Sequence, residues 1–426
     1  MVEFPKLKNS LSLSLPMLMF FYLTLVPLTV LGQLEFGTYF EWFLKITLLI
    51  LMGYWWRKYV ERSEYHLKPI KIYLYLILFY IMVSIFSIET YFDAKGLIYN
   101  SYGLLTIILV FASTNPNFVR KLLRTFIWLI IPLALIFFIF CQDLILDSDA
   151  VGVTVIPICL LLLMLPKLPW HIKLSLILLA LFFSLIDLGA RSTVIKLAVP
   201  IFIWPYYFLI SHINYKIRKF TTNILASILI LMPIVFLWMG VSGSFNIFTP
   251  KSISDSNIRI SEKSGKDIVE TDLKSDTRTF IYVEALASAI VKDSFIWGIT
   301  PGRGYISDAF GGNDLNGRNE RFRSEVGIVN IFTWFGLFGL TFFYFLFVRG
   351  SYLAINKSQN SLSMLFGLYN AFNLSYSWVE NYTEMNMSNV AIWVCLGMCY
   401  SSRFREMSNI DFKKWAISLY GSRKLI

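Results

Sequence analysis

The chain is poor in histidine, cysteine and charge, and each shortage narrows what it can be. Its only histidines, His66, His171 and His212, all fall in short basic connections between apolar runs. The one long polar segment, from about Val241 to Val326, therefore has no histidine to act as a general base. Cys141, Cys159, Cys395 and Cys399 lie in or beside apolar runs, and the polar segment has none. That leaves neither a disulfide framework nor the paired spacing of a zinc site. No repeat at a solenoid period, no low-complexity tract and no nucleotide-binding pattern is visible. No small-residue cleavage motif follows the first apolar run, so that run is expected to remain as an anchor.

What is present is apolar. Charged residues make up 15% of the chain against 56% hydrophobic and 17% aromatic, and the mean hydropathy is +0.62, which excludes an ordinary soluble globule. The apolar runs recur at roughly 20 residues, the length that crosses a hydrocarbon core. They lie near Leu11–Leu31, Phe40–Trp56, Ile70–Ile88, Leu97–Ser113, Leu123–Phe140 and Ala150–Leu165. A second set lies near Ile172–Leu188, Val194–Ser211, Thr222–Gly240, Gly327–Val348, Ser361–Val379 and Ser388–Tyr400. The expected fold is an all-α integral membrane protein of about twelve transmembrane helices, with one large exterior loop containing short helices. Residues 1–240 would hold nine spans, 241–326 the loop, and 327–426 three more spans and a cytoplasmic tail.

The formal charge of +11 points to orientation, not to nucleic acid. Basic residues fill alternate connections: Arg57 to Lys71, Arg120 to Arg124, Lys167 and Lys173, Lys216 to Lys219, Arg349 and Lys357, and the tail from Arg403 to Lys414. The other connections, around Glu35, Glu89–Asp93, Asp143–Asp149 and Glu380–Glu384, are acidic. The positive-inside bias then places both termini in the cytoplasm and the long loop outside.

Loops of more than about 12–15 residues are usually functional or disordered. Here Ser242–Lys274 is rich in Ser, Asp and Lys and reads as irregular. Thr277–Lys292 reads as an amphipathic helix, with Phe280, Val283, Ala287, Ile290 and Val291 at helical spacing and Asp276 as its N-cap. A Gly/Pro turn, Trp297–Tyr305 (WGITPGRGY), follows, and Ser324–Leu340 runs into the next span.

Several residues in this arrangement could carry chemistry. Arg278, in the first turn of the loop helix, sits where unpaired N–H groups and the helix dipole favour an anion; a surface ion pair with Asp276 or Glu284 is the alternative. Arg191, in a very short exterior turn beside Gly189 and Ala190, runs against the positive-inside trend; Asp187 could simply neutralise it. Arg303 has glycines on both sides that would let backbone approach a ligand, or simply form a turn. Arg318, Arg321 and Arg323 cluster beside Glu320 and Glu325. Glu325, nearest the point where the loop re-enters the bilayer, would be partly desolvated and a better base for it; an ion pair with Arg321 or Arg323 is the alternative. The exterior aromatics Tyr282, Trp297, Tyr305 and Tyr382 could stack on sugars or anchor at the interface. Asp147 and Asp149 form a short DxD pattern, too weak to specify a metal site.

These features together resemble the bacterial O-antigen polymerase and O-antigen ligase superfamily. The similarity rests on about twelve spans, a large late loop and an arginine at a short exterior turn before it. It rests also on TRTFIYVEAL, the GITPGRGY turn and an exit ending in FGLFGL, so its motifs lie in Asp187–Ser192 and Asp276–Gly339. The resemblance implies a membrane glycosyltransferase that needs no cofactor. Its donor would be an undecaprenyl-pyrophosphate-linked oligosaccharide at the outer leaflet of the bacterial inner membrane. Membrane lipid, a chain-length regulator and a flippase would be its partners. By motif position Arg191 and Arg278 would contact the pyrophosphate; the residues' own placement, and not the resemblance, adds Glu325 as the candidate base and Arg303, Tyr282, Tyr305 and Arg323 as substrate contacts. Ligases of the superfamily carry a histidine shortly before the exit, where this chain has Glu325, and that departure favours the polymerase branch.

Overall fold

A computed structural model describes residues 11–29, 37–59, 65–141, 144–145, 149–186, 191–241, 259–264, 267–272, 279–307 and 318–421. The first helices are α1 (Leu11–Leu25), α2 (Gly37–Tyr59), α3 (Lys68–Ile85), α4 (Tyr91–Leu105), α5 (Leu109–Ser113), α6 (Pro116–Thr125) and α7 (Ile131–Phe140). Then come α8 (Asp149–Val155), α9 (Ile158–Leu162), α10 (Trp170–Ile186), α11 (Arg191–Ser211) and α12 (Tyr215–Val241). The segment read as an exterior loop contains β1 (Arg259–Ser264), β2 (Asp267–Asp272), α13 (Thr279–Val291), β3 (Tyr305–Ile306) and β4 (Glu320–Arg321). The chain finishes with α14 (Gly327–Asn356), α15 (Ser361–Tyr376), α16 (Met387–Tyr400), α17 (Ser402–Glu406) and α18 (Asn409–Ser418).

The apolar runs of the sequence fall mainly on helix, although Leu97–Ser113, Leu123–Phe140 and Ala150–Leu165 are each divided between two of these helices. Among the described residues six helical stretches are long and apolar enough to cross a membrane. They are Lys68–Ile85, Tyr91–Ser113, Pro116–Phe140, Ser192–Leu209, Tyr215–Met239 and Gly327–Asn356. Local chemistry sets several boundaries. Thr90 and Asp93 form a reciprocal capping box at the start of α4, and Asn115, Asn360, Asn386 and Ser408 cap α6, α15, α16 and α18. Between α6 and α7 one turn widens to a π-helix, Phe126–Ile130, just before Pro132, which has no N–H to return to the preceding turn. Part of the stretch expected to be irregular is instead a hairpin, with Arg259 opposite Asp272 and Ser264 opposite Asp267.

Hydrogen bonds gather the connections at two ends. At one end Tyr80 Oη donates to the Trp297 carbonyl, Asn100 Nδ2 to that of Pro301 (2.7 Å), and the Gly327 amide to that of Glu380 (2.9 Å). We term this the loop end. At the other, the tail end, Asn115 Nδ2 donates to the Tyr59 carbonyl, Trp415 Nε1 to that of Pro116, and Asn360 Nδ2 to that of Phe404.

The loop is built into the bundle through a break in α14. Gly336 has φ +63° and ψ −166°, so the helical ladder stops there. Residues 295–300 repair it: the amides of Ile299 and Thr300 donate to the carbonyls of Thr333 and Trp334, and those of Leu337 and Phe338 to Phe295 and Ile296. Inside a bilayer such freed groups must find protein partners. Gly298 (φ +74°) faces Gly336 so closely that a Cβ on either would collide with the other's backbone.

Candidate functional site

Two layers of charge lie at the loop end. The outer layer centres on Glu320 in β4, whose side chain is 2% exposed. It accepts from Lys292 Nζ (2.7 Å) and from Arg303 Nε and Nη2 (3.2 and 2.9 Å). Arg318 approaches Glu320 at 3.7 Å, pairs with Asp93 of the α4 cap and donates to Glu89 at 2.8 Å. Burial pushes the Glu320 carboxyl up, but its hydrogen bonds from Arg303 and Lys292 outweigh burial and hold it below the ordinary carboxylate range. Each cation here is matched by a carboxylate, so the layer ties the loop to the α3–α4 connection and the first turn of α4.

The inner layer lies where the α15–α16 connection, residues 377–386, folds down among the helix ends. Ser377, Tyr382, Thr383 and Met385 are buried there. Gly103 of α4 admits the connection, since a Cβ at that position would strike the Thr383 carbonyl. Two carboxylates of this segment each meet a cation from another element. Glu384 takes Arg323 (3.2 Å) and accepts 3.0 Å hydrogen bonds from the amides of Asn381 and Asn386. Glu380 takes Lys196 of α11, whose ammonium also donates to Ser388 Oγ (3.3 Å) and lies 5.4 Å from the Tyr376 ring. The Arg323 guanidinium stacks 4.6 Å from the centre of the Tyr99 ring, and Lys45 of α2 lies 3.9 Å from the same ring while pairing with Glu41. Burial disfavours the charge on Arg323, yet Glu384 and Tyr99 outweigh it and raise its pKa.

The inner layer is thus three cation–carboxylate pairs, partly out of water, on aromatic faces. Lys45 and Lys196 are about 5% exposed, whereas Arg323 and Glu384 are 27% and 35% exposed. A diphosphate could displace Glu384 from the accessible guanidinium and gain bidentate hydrogen bonds there. The released carboxylate would be ready to accept a proton.

The residues singled out in the sequence are only partly assembled here. Arg323 is in the inner layer, Arg303 in the outer. Arg191 is the first residue of α11, but its side chain, all of Arg278 and its proposed cap Asp276 lie outside the described residues. Glu325 is not desolvated as expected: its side chain is 59% exposed and pairs with Arg321 (3.1 Å), the alternative that the sequence left open. Tyr282 and Tyr305 are also corrections. They are 7% and 2% exposed, packed with Ile281, Ala285, Val326 and Val329, which leaves no ring face for a sugar. Tyr282 Oη donates to the Trp378 carbonyl, and burial pushes the Tyr305 phenol up to about 12 against the opposing Arg321. Tyr382 is buried too, and Trp297 is exposed. Asp147 and the side chain of Asp149 lie outside the described residues, and among those described no group of metal-ligating side chains assembles.

Lys45, Lys196, Glu380 and Glu384 were not singled out by the sequence reading as site residues. The two lysines had a signal: each interrupts an apolar helix, in EWFLKITLLI and RSTVIKLAVP, and an ionisable side chain within a span is a functional-site hypothesis by default. Comparison with protein-family models, curated proteins and solved structures gives no match for this chain.

Proposed function

We propose that this protein is a polymerase of lipid-linked O-antigen or capsule repeat units in a bacterial inner membrane. It would transfer glycan from an undecaprenyl-pyrophosphate carrier to a sugar hydroxyl of a second lipid-linked unit, with no cofactor. The loop end is then the exterior end, and the basic tail end is cytoplasmic. The observation that carries this reading is the Arg323–Glu384 pair, a half-exposed cation and carboxylate held over Tyr99 where bundle and loop meet. It suits a substrate that offers a diphosphate at the membrane surface.

In this mechanism the acceptor hydroxyl attacks the anomeric carbon, its proton passes to a carboxylate, and the bond from that carbon to the diphosphate oxygen breaks. Neutralising the departing diphosphate is the main catalytic demand, met by Arg323 with Arg191 and Arg278 as the resemblance implies. Lys45 and Lys196 beneath it stay paired with Glu41 and Glu380, so Arg323 is the more accessible cation of the inner layer. We assign the proton acceptor to Glu384 in preference to Glu325. Glu384 is fixed by two asparagine amides and adjoins the guanidinium, whereas Glu325 stands in solvent on Arg321.

Deletion of the gene followed by gel display of surface glycan tests the reading. Loss of the ladder with a capped single unit retained is expected. Loss of all capped glycan would instead indicate a ligase, and units trapped on the cytoplasmic face a flippase. Arg191→Ala or Arg278→Ala should likewise abolish long chains and accumulate lipid-linked single units while the protein still inserts; wild-type chain lengths would remove both from the clamp.

A further inference from the structure

Helix α13 is apolar on two sides. A helix on a water-facing loop turns its apolar stripe to the core and its polar residues to solvent. Here Ile281, Tyr282, Ala285 and Ala289 fill the buried face, and the polar side chains find partners in the protein as well. The Ser307 hydroxyl donates to Glu284, Ser288 Oγ accepts from the Ile306 amide, and Lys292 reaches Glu320 and the Gly304 carbonyl. Most of the stripe marked by the sequence is exposed, with Phe280 alone of it half-buried: Val283, Ile290 and Val291 are 55%, 69% and 73% exposed, and Leu286 joins them at 38%. These recur at i, i+3, i+7 and i+8, and Ala287 between them is exposed as well, so no charge interrupts the face.

The surface does not end with the helix. Trp297, 62% exposed, continues it and packs 5.3 Å from Phe338 on the flank of α14, just past the break that the loop repairs. Leu337 and Phe338 are themselves exposed apolar residues on a helix long enough to span a membrane. Exposed Phe295, Ile296 and Trp297 thus lead in sequence from the apolar face of α13 to the exposed flank of α14, with a tryptophan among them of the kind that concentrates at membrane interfaces.

We infer that α13 lies in the bilayer interface at the loop end, its Val283–Val291 face embedded in the lipid of that leaflet. The segment is then a surface-lying membrane helix of the kind that sinks about 5–10 Å below the headgroups. The inference concerns only where the helix lies and holds whether or not the protein is a polymerase.

Single spin labels at 283, 286, 290 and 291, with the exposed Asp293 position as a control, test it in phosphatidylethanolamine–phosphatidylglycerol vesicles. The native cysteines are replaced in these variants. Oxygen should relax the four stripe labels more than a water-soluble nickel chelate does, and the order should reverse at 293. Chelate-dominated relaxation on the stripe would overturn the inference. A photo-crosslinker at Ile290 in the otherwise native chain gives a second readout that does not depend on cysteine removal. Lipid adducts are expected, and cross-linked pairs of chains would assign the face to self-association and overturn the proposal.

Discussion

The two ends of the bundle carry similar cations in different company. At the loop end Lys45, Lys196, Lys292, Arg303, Arg318 and Arg323 each meet a carboxylate. At the tail end Lys58, Lys167, Lys173, Lys219 and Arg349 lie over the rings of Tyr54, Tyr207, Trp204, Tyr215 and Phe345, and Lys219 donates to the Asn356 carbonyl. Cations that only sort a chain across a membrane need no partner, because headgroups and water serve them. A cation drawn in among helix ends does need one, because burial penalises its charge. The company a cation keeps therefore separates an orientation signal from a site.

That comparison breaks most sharply at Arg323. Arg323→Ala should reduce glycan polymerisation about 100-fold or more, the scale of losing one preorganised donor to a developing anion. Lys219→Ala, its tail-end counterpart, should leave the ladder unchanged, and equal losses would dissolve the distinction. Next is the choice of base. Glu384→Gln is expected to slow turnover by about 100-fold or more, and Glu325→Gln by much less, read as repeat units added per minute in vesicles. The sequence alone suggested the opposite order.

Gly298→Ala tests the joint between loop and bundle. A side chain there is strained by its positive φ and meets the backbone of α14, so the apparent Tm in detergent should fall with a cost of about 2 kcal/mol or more. The smallest effect belongs to the outer layer. The Glu320 carboxyl is held below its unfolded value, so its contribution is complete above about pH 4.3 and is lost as pH falls through the lower folded value. Thermal stability should be flat through this group between about pH 5 and 8 and decline below that range. Glu320→Gln should remove that acid-side decline while lowering stability at neutral pH.

The helices were legible because apolar length is a one-dimensional signal, and the bounds of α13, α15 and α16 differ from the expected ones by only a few residues. The face that α13 exposes was not legible. Helical spacing shows that a stripe exists, and only the tertiary partners of Glu284, Ser288 and Lys292 show which side is wet. The sequence drew attention to the glycines flanking Arg303 and to the FGLFGL exit, but nothing local said that Gly298 and Gly336 would face each other. Of the inner site, Arg323 was within reach. Glu380 and Glu384 were hidden because an acidic exterior connection is ordinary, and nothing local in sequence says that it folds inward. Lys45 and Lys196 were readable in principle, as single charges inside otherwise apolar helices.

The interruption at Gly336 also has a consequence for biogenesis. Residues 295–300 leave the ribosome before α14 does, so the strand that mends the break is made first. If α14 reached hydrocarbon alone, it would carry unsatisfied amides and carbonyls around Gly336, at several kcal/mol for each. Productive insertion thus requires the preceding loop to be already delivered to its side and waiting. Lengthening the 301–326 tether should delay that rendezvous and trap a protease-sensitive, half-inserted species without altering any residue of the clasp.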